Sequence, residues 1–313
     1  MHHTLQPTPE TTHGVFSRDL RPVLSVDSGD TVVVSVPDAG WHRLEQERPL
    51  SWDGMSKVGY EPRGTIGHCL IGPIEVRGAK PGMTLEVRID EVVTGTWGWG
   101  AAGGWDTPLN AALGLGDGAD DCRMMWELDG EHAQNQFGDR VVLRPFPGVV
   151  GMPPPARGEH STIPPRPWGG NLDCRELVAG ARLFLPVPVK GGLLSLGDGH
   201  GAQGDGEVSG IAIECPLARL AVTLVLHRSM RLHQPRAETA IGPITFGVAP
   251  SLDRATALAL DGMLQWMGER WGVGRARALA LASLAVDMRV TQAVNGIVGV
   301  HAVLVEDRVE IGR

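Results

Sequence analysis

Between residues 197 and 207 the chain reads Gly-Asp-Gly-His-Gly-Ala-Gln-Gly-Asp-Gly-Glu, which sets Asp198, His200, Gln203, Asp205 and Glu207 among closely spaced glycines. Carboxylates and an imidazole are the side chains that hold divalent metal ions and carry protons in catalysis. Glycine serves where a backbone must bend sharply or come close to another group. Apolar residues alternate before this stretch (Val187, Val189, Leu194, Leu196) and after it (Val208, Ile211, Ile213). The pattern predicts a loop that carries the polar groups between two strands, a common placement for a site. Asp-Gly pairs are also ordinary turn formers, so it is the density of ligand-type side chains that marks this loop.

Other groups of the right chemistry are more scattered. Gly169-Gly-Asn171-Leu-Asp173 lies one predicted strand upstream, and His68 precedes Gly72-Pro73. His13 and Asp19 read as surface groups. No Gly-x-Ser-x-Gly elbow of a serine hydrolase occurs. Cys174, beside Asp173, is the one thiol placed to attack a substrate. Only Arg175 offers it the positive charge that activates a thiol, which argues against that chemistry.

The elements that must position these groups are mostly strands. Residues 23–26 and 31–36 read as a β-hairpin across Asp27-Ser-Gly-Asp30. Ile74, Val76, Leu85, Val87 and Ile89 alternate with charged residues, as half-buried strands do, around a turn in which Pro81-Gly82 fits type II. Residues 94–120 read as a Gly/Trp loop whose Trp97, Trp99 and Trp105 could wall a pocket. Residues 144–170 read as a second irregular stretch, rich in proline and carrying Trp168. Strands are predicted at 181–189 and within 217–249. Ser251 then offers an N-cap to a helix reaching about Trp271, Gly272-Val-Gly274 interrupts, and 275–286 form a second helix before a closing strand at 299–305. The predicted fold class is mostly β, sandwich- or barrel-like, with a smaller C-terminal α+β portion containing two helices. Residues 1–185 are assigned to a β-rich domain with long Gly/Trp and Pro/Gly loops. Residues 186–313 are assigned to a segment with the Asp/His/Glu loop and the helical portion.

Composition narrows the partners. Hydrophobic residues at 42% and charged residues at 20% make a normal globular mix. A net charge of −8 without a basic run excludes nucleic acid and anionic membrane as main partners. The four cysteines stand singly, which fits free thiols in a reducing compartment and not a disulfide framework or a zinc ribbon. No signal-like or membrane-length apolar run is visible, so the expected location is cytoplasmic.

The sequence resembles the acetamidase/formamidase family of amide hydrolases over most of its length. The resemblance lies in His13-Gly-Val-Phe-Ser-Arg-Asp19 with Asp27-Ser-Gly-Asp30, in Gly72-Pro-Ile-Glu-Val-Arg-Gly-Ala79, and in Gly170-Asn-Leu-Asp173. It is most specific in the 197–207 stretch, and it continues in Ser283-Leu-Ala-Val-Asp-Met-Arg-Val-Thr-Gln292 and Gly299-Val-His301. Two positions depart from the family pattern, Gly201 for the commoner alanine and Ile71 for threonine. The resemblance implies a mostly β fold, release of ammonia from a small amide such as formamide or acetamide, a homo-oligomer, and a divalent metal, zinc or alternatively calcium.

Residue types and positions then suggest roles. Asp173, Asp198 and His200 would hold the metal, and Glu207 would transfer protons beside the catalytic His200 and Asp198. Asn171, Gln203 and His68 would bind substrate, with His68 as a possible further ligand. A γ-lactam hydrolase of the same architecture is the nearest alternative. A non-catalytic calcium-binding β protein is the other, disfavoured because imidazole suits zinc better than calcium.

Overall fold

A computed structural model describes residues 1–44, 49, 51–61, 63–64 and 67–312. Along the chain come β1 (His2–Leu5), β2 (Thr12–His13), β3 (Leu24–Val26), β4 (Thr31–Val36), β5 (Leu70–Val76), β6 (Thr84–Thr94) and β7 (Trp97–Ala102). The short helix α1 (Pro108–Ala112) precedes β8 (Cys122–Leu128), β9 (His132–Asn135), β10 (Arg140–Val142), β11 (Phe146–Gly151) and β12 (Gly169–Asn171). Next are β13 (Arg182–Pro186), β14 (Leu194–His200), β15 (Leu217–His227), β16 (Arg236–Thr239) and β17 (Gly242–Ala249). Helices α2 (Leu252–Trp271) and α3 (Arg275–Ala285) lead to β18 (Val286–Gln292) and β19 (Val298–Leu304). The fold is mostly β with a small helical part.

A nine-stranded sheet runs β1-β4-β15-β6-β13-β16-β17-β19-β18. A six-stranded sheet runs β12-β11-β14-β5-β2, with β3 beside β5, and a four-stranded sheet runs β10-β9-β8-β7. Period-two alternation gives the large sheet its apolar face: Val32, Val34 and Val36 of β4 are fully buried, as are Leu85 and Val87 of β6. They share one core with Ile71, Ile74 and Val76 of β5 and with Leu194 and Leu196 of β14, so two sheets sandwich a common apolar layer.

Helix α2 starts at Ser251, whose hydroxyl accepts the Arg254 N–H at 3.3 Å, and stops at Gly272 in the left-handed conformation. Its buried stripe of Ala255, Ala259, Met263 and Met267 packs with Val300, Ala302 and Leu304 of β19. Gly247 of β17 permits this contact, since a Cβ there would lie 1.9 Å from the Ala255 carbonyl oxygen.

Several sequence expectations change. Strands β3 and β4 form no hairpin: β3 runs parallel to β5 in the smaller sheet, and β4 joins β1 and β15 in the larger. The 27–30 turn therefore carries the chain from one wall of the sandwich to the other. The Gly/Trp stretch contains a strand, β7, paired through Trp97 and Trp99 with Glu127 and Met125. Alternating glycine hides its period. The proline-rich stretch contains β11, which sits between β12 and β14. The predicted strand at 208–213 does not form. Residue 185 falls inside β13, whose neighbours β6 and β16 come from either side of it, so the two proposed halves share one sheet and one core. The 80–83 turn is as read, with Gly82 at φ +84° and Met83 N–H donating to the Lys80 carbonyl at 3.1 Å.

Candidate active site

Asp198 and His200 lie on the last turn of pleat in β14, not in the loop that follows. Strand β11 pairs with β14 alongside them, bringing Phe146 opposite His200 and Val149 opposite Gly197. Gly148, between those pairs, has no room for a side chain: a Cβ would sit 2.5 Å from Asp198 Oδ2 and 2.9 Å from Asp173 Oδ1. Its carbonyl accepts the N–H of Leu172 at 3.1 Å and of Asp173 at 3.3 Å, which anchors the segment after β12 beneath the same point. Asp173 thus reaches Asp198 through β11, although β13, between them in sequence, belongs to the other sheet.

The loop bearing Glu207 is fastened from the C-terminal part. Gly206 N–H donates to the Thr291 carbonyl at 3.1 Å, and Arg289 bridges Asp205 at 2.6 Å and buried Glu176 at 2.9 Å. Glu214 enters from the irregular stretch after this loop, where its backbone bridges His200 on one side and Trp99 on the other. Asp173, Asp198 and Glu207 adopt φ values of +48°, +61° and +47°, in the left-handed region that non-glycine residues seldom occupy. Such strain is held by surrounding structure and concentrates at functional sites.

These groups converge. His200 Nε2 lies 3.4 Å from Asp198 Oδ2 and 3.4 Å from Glu214 Oε1. One ligand atom each from Asp173, Asp198 and His200 falls within 4.8 Å of the others, and so does one each from His200, Glu207 and Glu214. All five residues are buried. Gln203 spends both ends inside the protein: its Oε1 is 2.8 Å from His200 Nδ1, and its Nε2 donates to the Asp173 carbonyl at 2.8 Å. It holds His200 by the ring nitrogen that faces away from the acids, in place of the substrate contact read from sequence.

Burial and crowding drive the titration of the cluster. Burial raises Asp173 well above the usual carboxylate range, and neighbouring Glu207 raises it further. Burial lifts Glu207 to about 7, with His200 pulling against it and Glu214 and Asp198 adding to it. Glu214 is raised chiefly by burial. Burial alone would raise Asp198, but His200 and His68 more than offset this and hold it low. His200 is disfavoured as a cation by burial, yet Glu214 and Asp198 lift it well above the ordinary histidine value.

A cavity of about 210 Å³ opens over the cluster, lined by Asp198, His200, Glu207 and Glu214 together with His68, Trp99, Asn171, Ile211 and Asn295. Hollows of about 600 and 470 Å³ lie elsewhere and touch none of these acids. Asn171 donates to the Ile163 carbonyl at 3.0 Å, leaving its buried Oδ1 without a partner among the described residues. His68 Nδ1 lies 3.0 Å from Thr162 Oγ1. Trp99 reaches the cavity, whereas Trp97 is buried behind it and Trp105 is not among the lining groups.

Cys174 is fully buried, lifted to about 12 by that burial, and outside the cavity lining, which leaves it an inert thiol. His13 is buried, not superficial, with Nε2 3.0 Å from Ser195 Oγ. Sequence reasoning missed Glu214, Asn295 and Gly148. Glu214 did leave a trace, as the one acid in Ile211-Ala-Ile-Glu-Cys215, where an unpaired charge is costly to bury. Asn295, followed by Gly296, carries no such mark in the sequence.

Known proteins are similar to this chain in sequence and fold. The sequence model of the Acetamidase/Formamidase family matches residues 1–160 and 155–244. A putative formamidase of Schizosaccharomyces pombe is 26% identical over 290 residues, spanning 71% of this chain and 68% of its own. The crystal structure of acetamidase from Yersinia enterocolitica superposes with a TM-score of 0.82 at 27% identity, covering 98% of this chain and 92% of that one. The gamma lactamase from Delftia acidovorans, with a TM-score of 0.63 and 19% identity over 99% of this chain and 94% of its own, shares the fold. With the family match running through Asp173, Asp198, His200, Glu207 and Glu214, the chain belongs to the acetamidase/formamidase family of amide hydrolases.

Proposed function

We propose that this protein hydrolyses small linear amides, of the size of formamide or acetamide, to ammonia and a carboxylate. One observation carries the reading: a small cavity whose floor is made of buried carboxylates and an imidazole, with Asp173 Oδ1, Glu207 Oε2 and Glu214 Oε2 all lacking a hydrogen-bond partner among the described residues. Buried acceptors left unpaired are costly. A divalent cation is the simplest group that would satisfy several at once, so the residues present fit one. Asp173, Asp198 and His200 would hold it, with Glu207 and Glu214 beside them. The imidazole favours zinc over calcium. When bound, such an ion polarises an amide carbonyl and brings the pKa of a water towards about 7.

The chain's own groups supply the rest. Glu207, poised near neutrality, takes a proton as water oxygen attacks the carbonyl carbon, and returns it to the nitrogen as the C–N bond breaks. The free Oδ1 of Asn171 accepts an N–H of the amide, while Gln203 keeps His200 oriented.

Ammonia release from formamide, acetamide, propionamide and a γ-lactam, with metal-replete and chelator-stripped protein, tests the proposal. Turnover of the linear amides that vanishes on stripping and returns with zinc is the expected result. Tightly held metal without ammonia from any substrate would instead favour a binding protein, and preferential turnover of the lactam would move the substrate class to cyclic amides.

A further inference from the structure

Trp99 supplies a large apolar face to the cavity, and hydrogen bonds as well as packing hold it there. Its Nε1–H donates to Asp38 Oδ2 at 2.5 Å. The same oxygen lies 2.8 Å from His42 Nδ1, and Asp38 Oδ1 accepts the His42 backbone N–H at 2.6 Å. Asp38 is wholly buried, so these charge-assisted bonds act without competition from water. On the indole's other flank Trp52 meets it edge-on at 4.7 Å between centroids, and the Arg123 guanidinium lies 5.3 Å over Trp52. The ring is bracketed.

The rest of the lining gives an acyl chain little else to lie against. Ala39 and Gly40, which follow the Asp38 carboxylate, contribute almost no side chain, and His68, Asn171 and Asn295 are polar. Among the described residues Ile211 is the other sizeable apolar lining group, and it packs on the same Trp97–Trp99–Met125 cluster. Among the described residues, what extends from the amide carbonyl away from the acids therefore meets the Trp99 indole and the Ile211 side chain packed on it.

We propose that Asp38 and Trp99 together set the acyl-chain limit of this enzyme. The buried carboxylate locks the indole across the cavity, so that amides with short acyl chains are accepted and longer ones are excluded. Trp99 is the specificity-determining residue and Asp38 is a positioning residue that acts through it. The inference rests on the reading of the cavity as an amide site and names what selects among amides there.

The test compares kcat/KM for formamide, acetamide, propionamide and butyramide in metal-replete wild type, Trp99→Ala, Trp99→Phe and Asp38→Asn. Calorimetric affinities for acetate and butyrate, the corresponding acids, are measured on the same proteins. Trp99→Ala is expected to raise the butyramide-to-acetamide ratio by about tenfold or more, the scale of one or two methylenes newly admitted to an apolar pocket. Asp38→Asn frees the indole without removing it and moves the ratio the same way by less. Trp99→Phe keeps a ring but loses the N–H, shifts the ratio similarly, and covers the case in which Asp38→Asn does not fold.

A uniform loss across all four amides in Trp99→Ala would overturn the proposal, because a merely structural residue cannot change the ratio. An unchanged ratio in Trp99→Phe would remove Asp38 from it. Were wild type to release ammonia from none of the amides, the functional reading would fail on its own. The wall would still be judged by whether Trp99→Ala gains butyrate over acetate, and no gain overturns it.

Discussion

Asn295 donates its side-chain amide to Asp173 Oδ2 at 3.0 Å, joining two residues 122 positions apart. The bond pins one carboxylate oxygen and leaves Oδ1, the one without a partner, turned towards Asp198 and His200. Partners that orient a ligating carboxylate typically govern metal affinity by about ten- to a hundredfold. Asn295→Ala should therefore weaken zinc retention on that scale, as read by competition with a chromophoric chelator, while the far-ultraviolet circular dichroism stays that of wild type. Unchanged retention would detach Asp173 from the ion.

Gly148 makes an equally sharp case. A methyl group at this position must displace Asp198 Oδ2 or Asp173 Oδ1, since the backbone of β11 is held on both sides by β12 and β14. Gly148→Ala should lower kcat/KM by about a hundredfold, the usual cost of displacing catalytic groups by an ångström or less. Full activity in that variant would mean that the carboxylates are free to rearrange.

Glu207→Gln keeps the shape and the left-handed backbone strain of the native residue and removes only its ability to exchange a proton. A fall in kcat of about a hundredfold or more is expected, with KM changed far less. Steady-state kinetics on acetamide decide this. A proportional rise in KM at constant kcat would reassign Glu207 to substrate binding.

Protein stripped of metal should become less stable as pH rises from about 6.5 to 8. Asp173, Glu207 and Glu214 keep their protons in the fold at pH values where an unfolded chain has released them, so their favourable contribution is largest at low pH and fades as pH rises towards their folded values. His200 has the same sign, because its folded value is also raised. Asp198 has the opposite sign, but its contribution is lost only as pH falls below 3.8, outside this window. Buried His13 and His301, whose folded values are lowered to about 3 and about 4, also have the opposite sign, but their contribution is complete above the ordinary histidine value of 6.5, where the window begins. Glu207 alone, moved from 4.5 to about 7, is worth about 3 kcal/mol, most of it lost below this window. Calorimetric Tm values in chelator across this range measure the trend, and a Tm that climbs instead would contradict it.

Much of the site was legible because its chemistry is concentrated. Asp198, His200, Gln203 and Glu207 lie within ten residues, and glycine spacing flagged them. Their secondary structure was less legible, since Gly197 and Gly199, which make room for the Cys69 and Cys215 carbonyls, also erase the apolar period by which a strand is recognised. Strands β7 and β11 were hidden by glycine and proline in the same way. The α2–α3 segment was read almost to the residue, because a capped, strongly periodic helix carries its own local signal. Pairing partners were not readable: β3 and β4 have the local marks of a hairpin, and only the need to line opposite walls of one core sends them to different sheets. Glu214 and Asn295 become site residues solely through such long-range pairing.

The strand order has a consequence for biosynthesis. Strand β15 inserts between β4 and β6, and Asp173 waits for Asn295, so a nascent chain emerging from the ribosome carries its acids long before it can assemble them. Non-local pairing of this kind is slow and leaves strand edges open meanwhile. Synthesis must therefore reach Asn295 before the cluster closes, and a chain interrupted ahead of β18 would leave the ribosome as an unfinished sandwich with its carboxylates exposed to water.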